Sequence, residues 1–170
     1  RVSSSAASDV YKRQAYLNAM GNSLEWDMKM HPTYLWTLPM FHCNGWCFPW
    51  TIAMRAGTNI CLRKVTGENI YDKIFSHGVD YLCGAPTVLS FIINTDPVHV
   101  KKLDRRVKLM TAAAPPPAKI LEQIEKCGFD VTHVYGLTEV YGPAVICKWK
   151  DEWNKLGASE KSNLKSRQGV

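Results

Sequence analysis

Five apolar stretches begin near residues 34, 58, 81, 107 and 130, about 25 residues apart. That interval holds one strand and one returning helix, so it predicts βαβ units: an α/β fold with a mostly parallel sheet and flanking helices. TYLWTLPMF (33–41) reads as a buried strand stopped by Pro39. GWCFPWTIAMRAG (45–57) reads as a helix, with Pro49 tolerated near its start and Gly57 after its end. TNICLRK (58–64) reads as a strand, and Thr66 is placed to cap a helix through Ile70, Ile74 and Phe75 that Gly78 ends. VDYLCGAP (79–86) is a strand, and TVLSFIIN (87–94) a helix despite its β-branched residues. RVKLMTAAA (106–114) is a strand, PPPAKILEQIEKCG (115–128) a helix opened by prolines and closed on glycine, and FDVTHVYG (129–136) a strand. Ahead of them, Tyr16, Leu17, Met20, Leu24 and Trp26 recur near helical spacing. No sequence repeat underlies the interval.

The ends differ from this body. RVSSSAASDVYKRQ (1–14) is small, polar and aperiodic, and reads as adapter- or vector-derived sequence or a disordered arm, with the native domain beginning at residue 15. After Trp149 the chain turns polar and is expected to form a short surface helix or frayed tail. The net charge of +6 lies mostly in these ends: +2 over residues 1–14 and +3 over 148–170, leaving 12 basic and 11 acidic residues between. A neutral body argues against nucleic-acid binding, whose footprint belongs on a folded face. No apolar run is long enough to span a membrane, and no charged-then-apolar leader is seen. Six cysteines without a CxxC pair fit reduced, intracellular thiols packed in a core better than a zinc site.

In a parallel sheet, ligands collect at the carboxyl ends of the strands. Three stretches fall there: PMFHCNGW (39–46), TAAAPPP (111–117) and YGLTE (135–139). In the last, Tyr135 can stack on a flat ring, Gly136 permits close backbone approach, and Thr138 can bond a phosphate oxygen. Glu139 would repel phosphate unless a divalent cation lay between them, and Mg²⁺ favours one or two carboxylates plus substrate phosphates. The set suits a magnesium nucleotide; a turn with a solvated Thr-Glu pair explains it equally well. Ala112, Ala113 and Ala114 leave room for a flat ligand, or simply make a strand-to-helix junction. His42 can orient a carboxylate and Trp46 can wall an apolar pocket, or both are core residues. Tyr141-Gly142-Pro143 reads as the end of the loop, turning the chain into a further strand.

Taken in this order, LPMFHCNGW, TAAAPPP and YGLTE resemble the adenylate-forming acyl-CoA synthetases of the AMP-dependent synthetase and ligase family. The wording LPMFHCNGWCFPW and VYGLTEVYGP is similar to the branch holding plant acyl-activating enzymes and bacterial medium-chain or aromatic acyl-CoA ligases. The resemblance covers residues 15–170 and implies part of such an enzyme's large N-terminal domain. It implies ATP, Mg²⁺ and coenzyme A: a carboxylic acid is activated to an acyl-adenylate, and the acyl group then passes to the thiol. It further implies that Tyr135 stacks on adenine, that Gly136 lies beside the nucleotide, that Thr138 binds the α-phosphate and that Glu139 holds Mg²⁺. Ala113, Ala114 and Pro115 match the turn against which adenine packs. His42 matches the residue near the reacting carboxylate, Trp46 the acyl-pocket wall, and His133 an adenine-edge contact.

Two family parts have no match here. The Ser/Thr/Gly-rich phosphate loop ending in Pro-Lys-Gly should precede LPMFH, where RVSSSAASDVYKRQ stands. The ribose-binding Asp, the hinge and the C-terminal domain with its adenylation lysine should follow Val170. The chain is therefore expected to be a central fragment, inactive alone. Two alternatives stand beside this one: a non-catalytic nucleotide-binding α/β module, and an adenylating enzyme that does not use coenzyme A. Trp46, Phe48 and Trp50 suggest short, medium or aromatic acids, and the compartment expected is cytoplasm or peroxisome. Nothing in the sequence sets the oligomeric state.

Overall fold

The computed structural model describes residues 12–114 and 116–169. Six strands form one sheet in the order β2-β1-β3-β4-β5-β6. These are β1 Thr33–Trp36, β2 Thr58–Cys61, β3 Tyr81–Gly84, β4 Val107–Thr111, β5 Phe129–Leu137 and β6 Gly142–Ile146. The first five pair in parallel, and β6, the further strand expected after Tyr141-Gly142-Pro143, returns antiparallel to β5. The helices are α1 Lys12–Glu25, α2 Cys43–Trp46, α3 Phe48–Met54, α4 Gly67–His77, α5 Pro86–Ile93, α6 Ala118–Lys126 and α7 Ala158–Lys165.

Alternation along the strands builds two cores. Leu35, Leu82, Leu109 and Val131 face α4, α5 and α6, with Ile70, Leu89, Ile92, Leu121 and Ile124 opposite. Tyr34, Trp36, Tyr81, Cys83, Met110 and Val134 face the other way, against Trp26, Trp46, Phe48 and Ile52. Both faces of the inner parallel strands β1, β3 and β4 are covered, as such a sheet requires. Tyr34 stacks on Phe48 at 5.1 Å, and Trp26 meets the edges of Phe48 and Tyr81. Local capping is as expected for α4: Thr66 Oγ1 accepts from the Asn69 N–H at 3.2 Å, and Gly78 ends the helix at φ +62°.

Several boundaries differ from the sequence reading. The strand expected over 33–41 stops at Trp36, and that over 58–64 stops at Cys61, whose edge position exposes most of it. The helix expected over 45–57 is two pieces, a left-handed turn and α3, and α3 is closed by Ala56 at φ +51° rather than by Gly57. α1 opens at Lys12, so residues 12–14 belong to it. Lys, Arg and Gln are good helix formers that carry no apolar periodicity, and so gave no signal. Residues 1–11, the rest of the presumed foreign segment, lie outside the described residues. The C-terminal stretch is not frayed. Lys165 of α7 bonds Glu125 of α6, lies 3.3 Å from Asp130 of β5, and sits over the Trp149 ring at 4.9 Å.

Candidate functional site

A cavity of about 230 Å³ opens at the carboxyl ends of the strands. His42, Cys43 and Trp46 line it after β1, Ala112 and Ala113 after β4, and Val134, Gly136, Leu137 and Thr138 along and after β5, with Gly142 and Pro143 closing it. All three stretches singled out in the sequence therefore meet at one site. Tyr135, Glu139 and Ala114 are sequence neighbours of lining residues but stand outside the lining, exposed. Tyr135 is 41% exposed, a free aromatic face at the rim. Pro115 lies outside the described residues. Trp46 serves both readings offered for it: 7% exposed, it packs in the core and lines the cavity.

The turn carrying His42 is unusual. Cys43, Asn44, Gly45, Trp46 and Cys47 all have left-handed backbone, with φ between +42° and +67°. For residues with a side chain this costs roughly 1–2 kcal/mol each, least for Asn. The turn persists because side chains elsewhere hold it. Asn22 Nδ2 donates to the Trp46 carbonyl at 3.1 Å. Asn44 Nδ2 donates to the Tyr141 hydroxyl at 2.7 Å, and Trp50 Nε1 donates to the same oxygen at 2.6 Å. Cys43 Sγ and Thr138 Oγ1 share a hydrogen bond of 3.1 Å.

The second half of VYGLTEVYGP is the other side of these contacts. Thr138–Val140 form one 3₁₀ turn, ended by Tyr141 at φ +63°. The loop then crosses itself. A Cβ on Gly136 would lie 1.9 Å from the Gly142 carbonyl oxygen, so only glycine fits there. Gly142, at φ +115°, rests on the Trp46 backbone, 3.1–3.2 Å from where its Cβ would be. Both Tyr-Gly steps thus have steric reasons. The first lets the loop fold over, and the second presses it onto the left-handed turn.

His133 is placed differently. It is 1% exposed and outside the cavity lining; its Nδ1 is 2.9 Å from the Ser166 carbonyl. A carbonyl only accepts, so Nδ1 carries the proton and Nε2 is the bare nitrogen, buried with no partner among the described residues. Burial pushes its pKa below the usual histidine value, because protonation would add a second, unbonded N–H; the backbone carbonyls of 165–167 oppose this. Burial alone pushes the Cys47 thiol up to about 12.

Asn44 and Tyr141 were missed as site residues, while Phe48 and Trp50, which suggested a restricted acyl pocket, stand outside the cavity lining, Phe48 in the core and Trp50 exposed on α3. The Asn44-Gly45 pair was a legible signal, since Asn-Gly marks turns with positive φ. Nothing local pointed to Tyr141. As a chemical device the site offers an apolar slot, a hydroxyl, an imidazole at its edge, and an aromatic face and a carboxylate just outside. Its lining has no Lys or Arg.

Comparison with known proteins agrees with this architecture. Acetate/butyrate–CoA ligase AAE7, peroxisomal, of Arabidopsis thaliana is 46% identical over 162 residues, 95% of this chain and 28% of that protein. 2-Methylpropanoate–CoA ligase CCL4 of Humulus lupulus is 50% identical over 158 residues, 93% and 28%. Trans-cinnamate:CoA ligase, peroxisomal, of Petunia hybrida is 43% identical over the same shares. The chain thus spans about 28% of the length of these curated relatives. Among solved structures, the N-terminal domain of FACL13 from Mycobacterium tuberculosis superposes with a TM-score of 0.70 at 23% identity, covering 89% of this chain and 38% of that one. O-succinylbenzoate coenzyme A synthetase (MenE) from Bacillus subtilis, in complex with ATP and magnesium ion, gives 0.68 at 21% identity, covering 85% and 30%. At such identity these two share the fold. The AMP-binding enzyme family itself matches residues 10–163, nearly the whole of the described chain, and to that family this chain belongs.

Proposed function

We propose that this chain is a central segment of an AMP-forming acyl-CoA ligase, and that the cavity at the strand ends is part of its adenylation site. The observation that carries the reading is the convergence of LPMFHCNGW, TAAAPPP and YGLTE on one cavity rim. In the first step a carboxylate oxygen attacks the α-phosphorus of ATP; the bond to the bridging oxygen breaks and pyrophosphate leaves. In the second, the thiol sulfur of coenzyme A attacks the acyl carbon, and AMP leaves. Coenzyme A as acceptor is supported by the names of the three relatives above, each a CoA ligase.

His42 orients the acid, and Trp46 walls the acyl pocket. Thr138 donates to the α-phosphate. Tyr135 stacks on adenine, Gly136 lies beside the nucleotide, and adenine packs against the turn at Ala113 and Ala114. The slot's apolar lining without Lys or Arg leaves the phosphate charge to be met elsewhere. Glu139, exposed beside Thr138, fits a Mg²⁺ ligand, because one carboxylate plus phosphate oxygens is the donor set this ion takes. Held there, Mg²⁺ would supply neutralisation of phosphate charge. An adenine-edge role is not favoured for His133, whose ring is buried against Ser166. Relatives named for acetate, butyrate, 2-methylpropanoate, cinnamate and benzoate support a short or aromatic acid, and several named peroxisomal support that compartment beside the cytoplasm.

Two measurements test the reading. The purified 170-residue chain should form no acyl-CoA; clear product would overturn the segment reading. In the complete ligase, Glu139→Gln should weaken Mg²⁺-dependent pyrophosphate release at least tenfold; unchanged Mg²⁺ dependence removes Glu139 from its role.

A further inference from the structure

The left-handed turn after β1 and the loop after β5 are separate in sequence, yet two hydrogen bonds join them and a third ties the loop to α3. The Tyr141 hydroxyl accepts from Asn44 at 2.7 Å and from Trp50 at 2.6 Å, while Cys43 and Thr138 share their own bond at 3.1 Å. Tyr141 is 5% exposed, and its carbonyl accepts from Asn18 of α1 at 2.8 Å. Gly142 sits directly on the Trp46 backbone. The turn cannot move without dragging the loop. His42 stands at the head of the turn, and Thr138 and Glu139 stand on the loop.

We propose that Tyr141 is a positioning residue for adenylation: its hydroxyl, through Asn44, fixes the turn that holds the acid relative to the loop that holds the α-phosphate. This rests on the cavity being the adenylation site. The two reacting atoms are each presented by one of these segments, so their separation is set by the clamp between them. The nucleotide's own contacts, by contrast, lie on β5 with its loop and on the segment after β4, and these two strands pair directly, independent of the clamp. Loosening the clamp therefore spares ATP affinity and damages the chemical step. A misplacement of about 1 Å between reactants costs about a hundredfold in rate.

The test uses the complete ligase and reads pyrophosphate release. Tyr141→Phe should lower kcat for adenylation roughly ten- to hundredfold, with KM for ATP changing less than about twofold. Asn44→Gly removes the same bond from the other end while glycine keeps the φ of +42° without strain, and should show the same split. The double variant should be no worse than Tyr141→Phe alone, because that change already removes the bond from Asn44 together with the one from Trp50. Unchanged kcat in Asn44→Gly, or losses that multiply in the double variant, would overturn the clamp; this holds even if Tyr141→Phe fails to fold. Running His42→Ala and Glu139→Gln in parallel separates the two levels. If those lower adenylation while Tyr141→Phe and Asn44→Gly leave kcat unchanged, the clamp alone is wrong. If those leave it intact, the site reading beneath it is wrong.

Discussion

Replacing Gly136 with alanine should destabilise this chain sharply, although the change adds one methyl group. The added Cβ would lie 1.9 Å from the Gly142 oxygen and 2.5 Å from its carbonyl carbon. A comfortable contact needs roughly 3.5 Å, so one strand of the loop must retreat by about 1.5 Å. Neither can do so freely. Gly142 is backed by the Trp46 backbone, and Gly136 is a residue of β5 paired with Pro143. Overpacking costs about 1–3 kcal/mol, and with backbone on both sides the upper end applies. At 2–4 °C per kcal/mol for a domain of this size, the melting temperature should fall by roughly 6–12 °C. Gly21→Ala is the matched control. Nothing lies within 4 Å of its Cβ position, and it sits inside α1, so alanine should stabilise by about 0.5–1 kcal/mol. Thermal and denaturant unfolding of the 170-residue chain would measure both. The crossing-loop argument fails if Gly136→Ala costs less than about 0.5 kcal/mol, or if the two variants shift stability in the same direction.

Two further predictions follow from burial. A neutral aromatic disulfide reagent at pH 8 should label the exposed Cys61 in the native chain, whereas Cys47, Cys83 and Cys147, buried with thiol pKa values pushed up, should react only after unfolding; native labelling of Cys83 as fast as Cys61 would contradict this. His133 is held neutral by burial, so its folded pKa lies below its unfolded value near 6.5, and the unfolded chain binds the proton first. Its contribution is unaffected above that pH and falls as pH drops below it; His133→Gln should flatten the acid side of the stability profile, and an unchanged profile would show that another group governs it.

Much of the architecture was legible because it is local. The interval of about 25 residues and the apolar runs announce a parallel sheet, since a strand and a covering helix need that length. Thr66 and Gly78 announce the ends of α4, because each cap is made within one helical turn. The three motifs marked the rim, since in a parallel sheet all carboxyl strand ends point one way. Local pattern misled over residues 45–57, where the first three residues of a run that reads as one helix, Gly45, Trp46 and Cys47, are left-handed. It left α7 open between a short surface helix and a frayed tail, because the anchor at Lys165 depends on Glu125 and Asp130 from distant elements.

The opposite case is VYGLTEVYGP. Its chemistry, an aromatic face, a hydroxyl and a carboxylate beside a strand end, is written in residue types and needs no partner to be recognised. Its geometry is not. Gly136 is needed because Gly142 passes beneath it, and Tyr141 matters because Asn44, 97 residues earlier, bonds its hydroxyl. Neighbours in the chain determine elements and caps; which residues must be glycine, or must carry a hydroxyl, is settled by atoms that only folding brings within 3 Å.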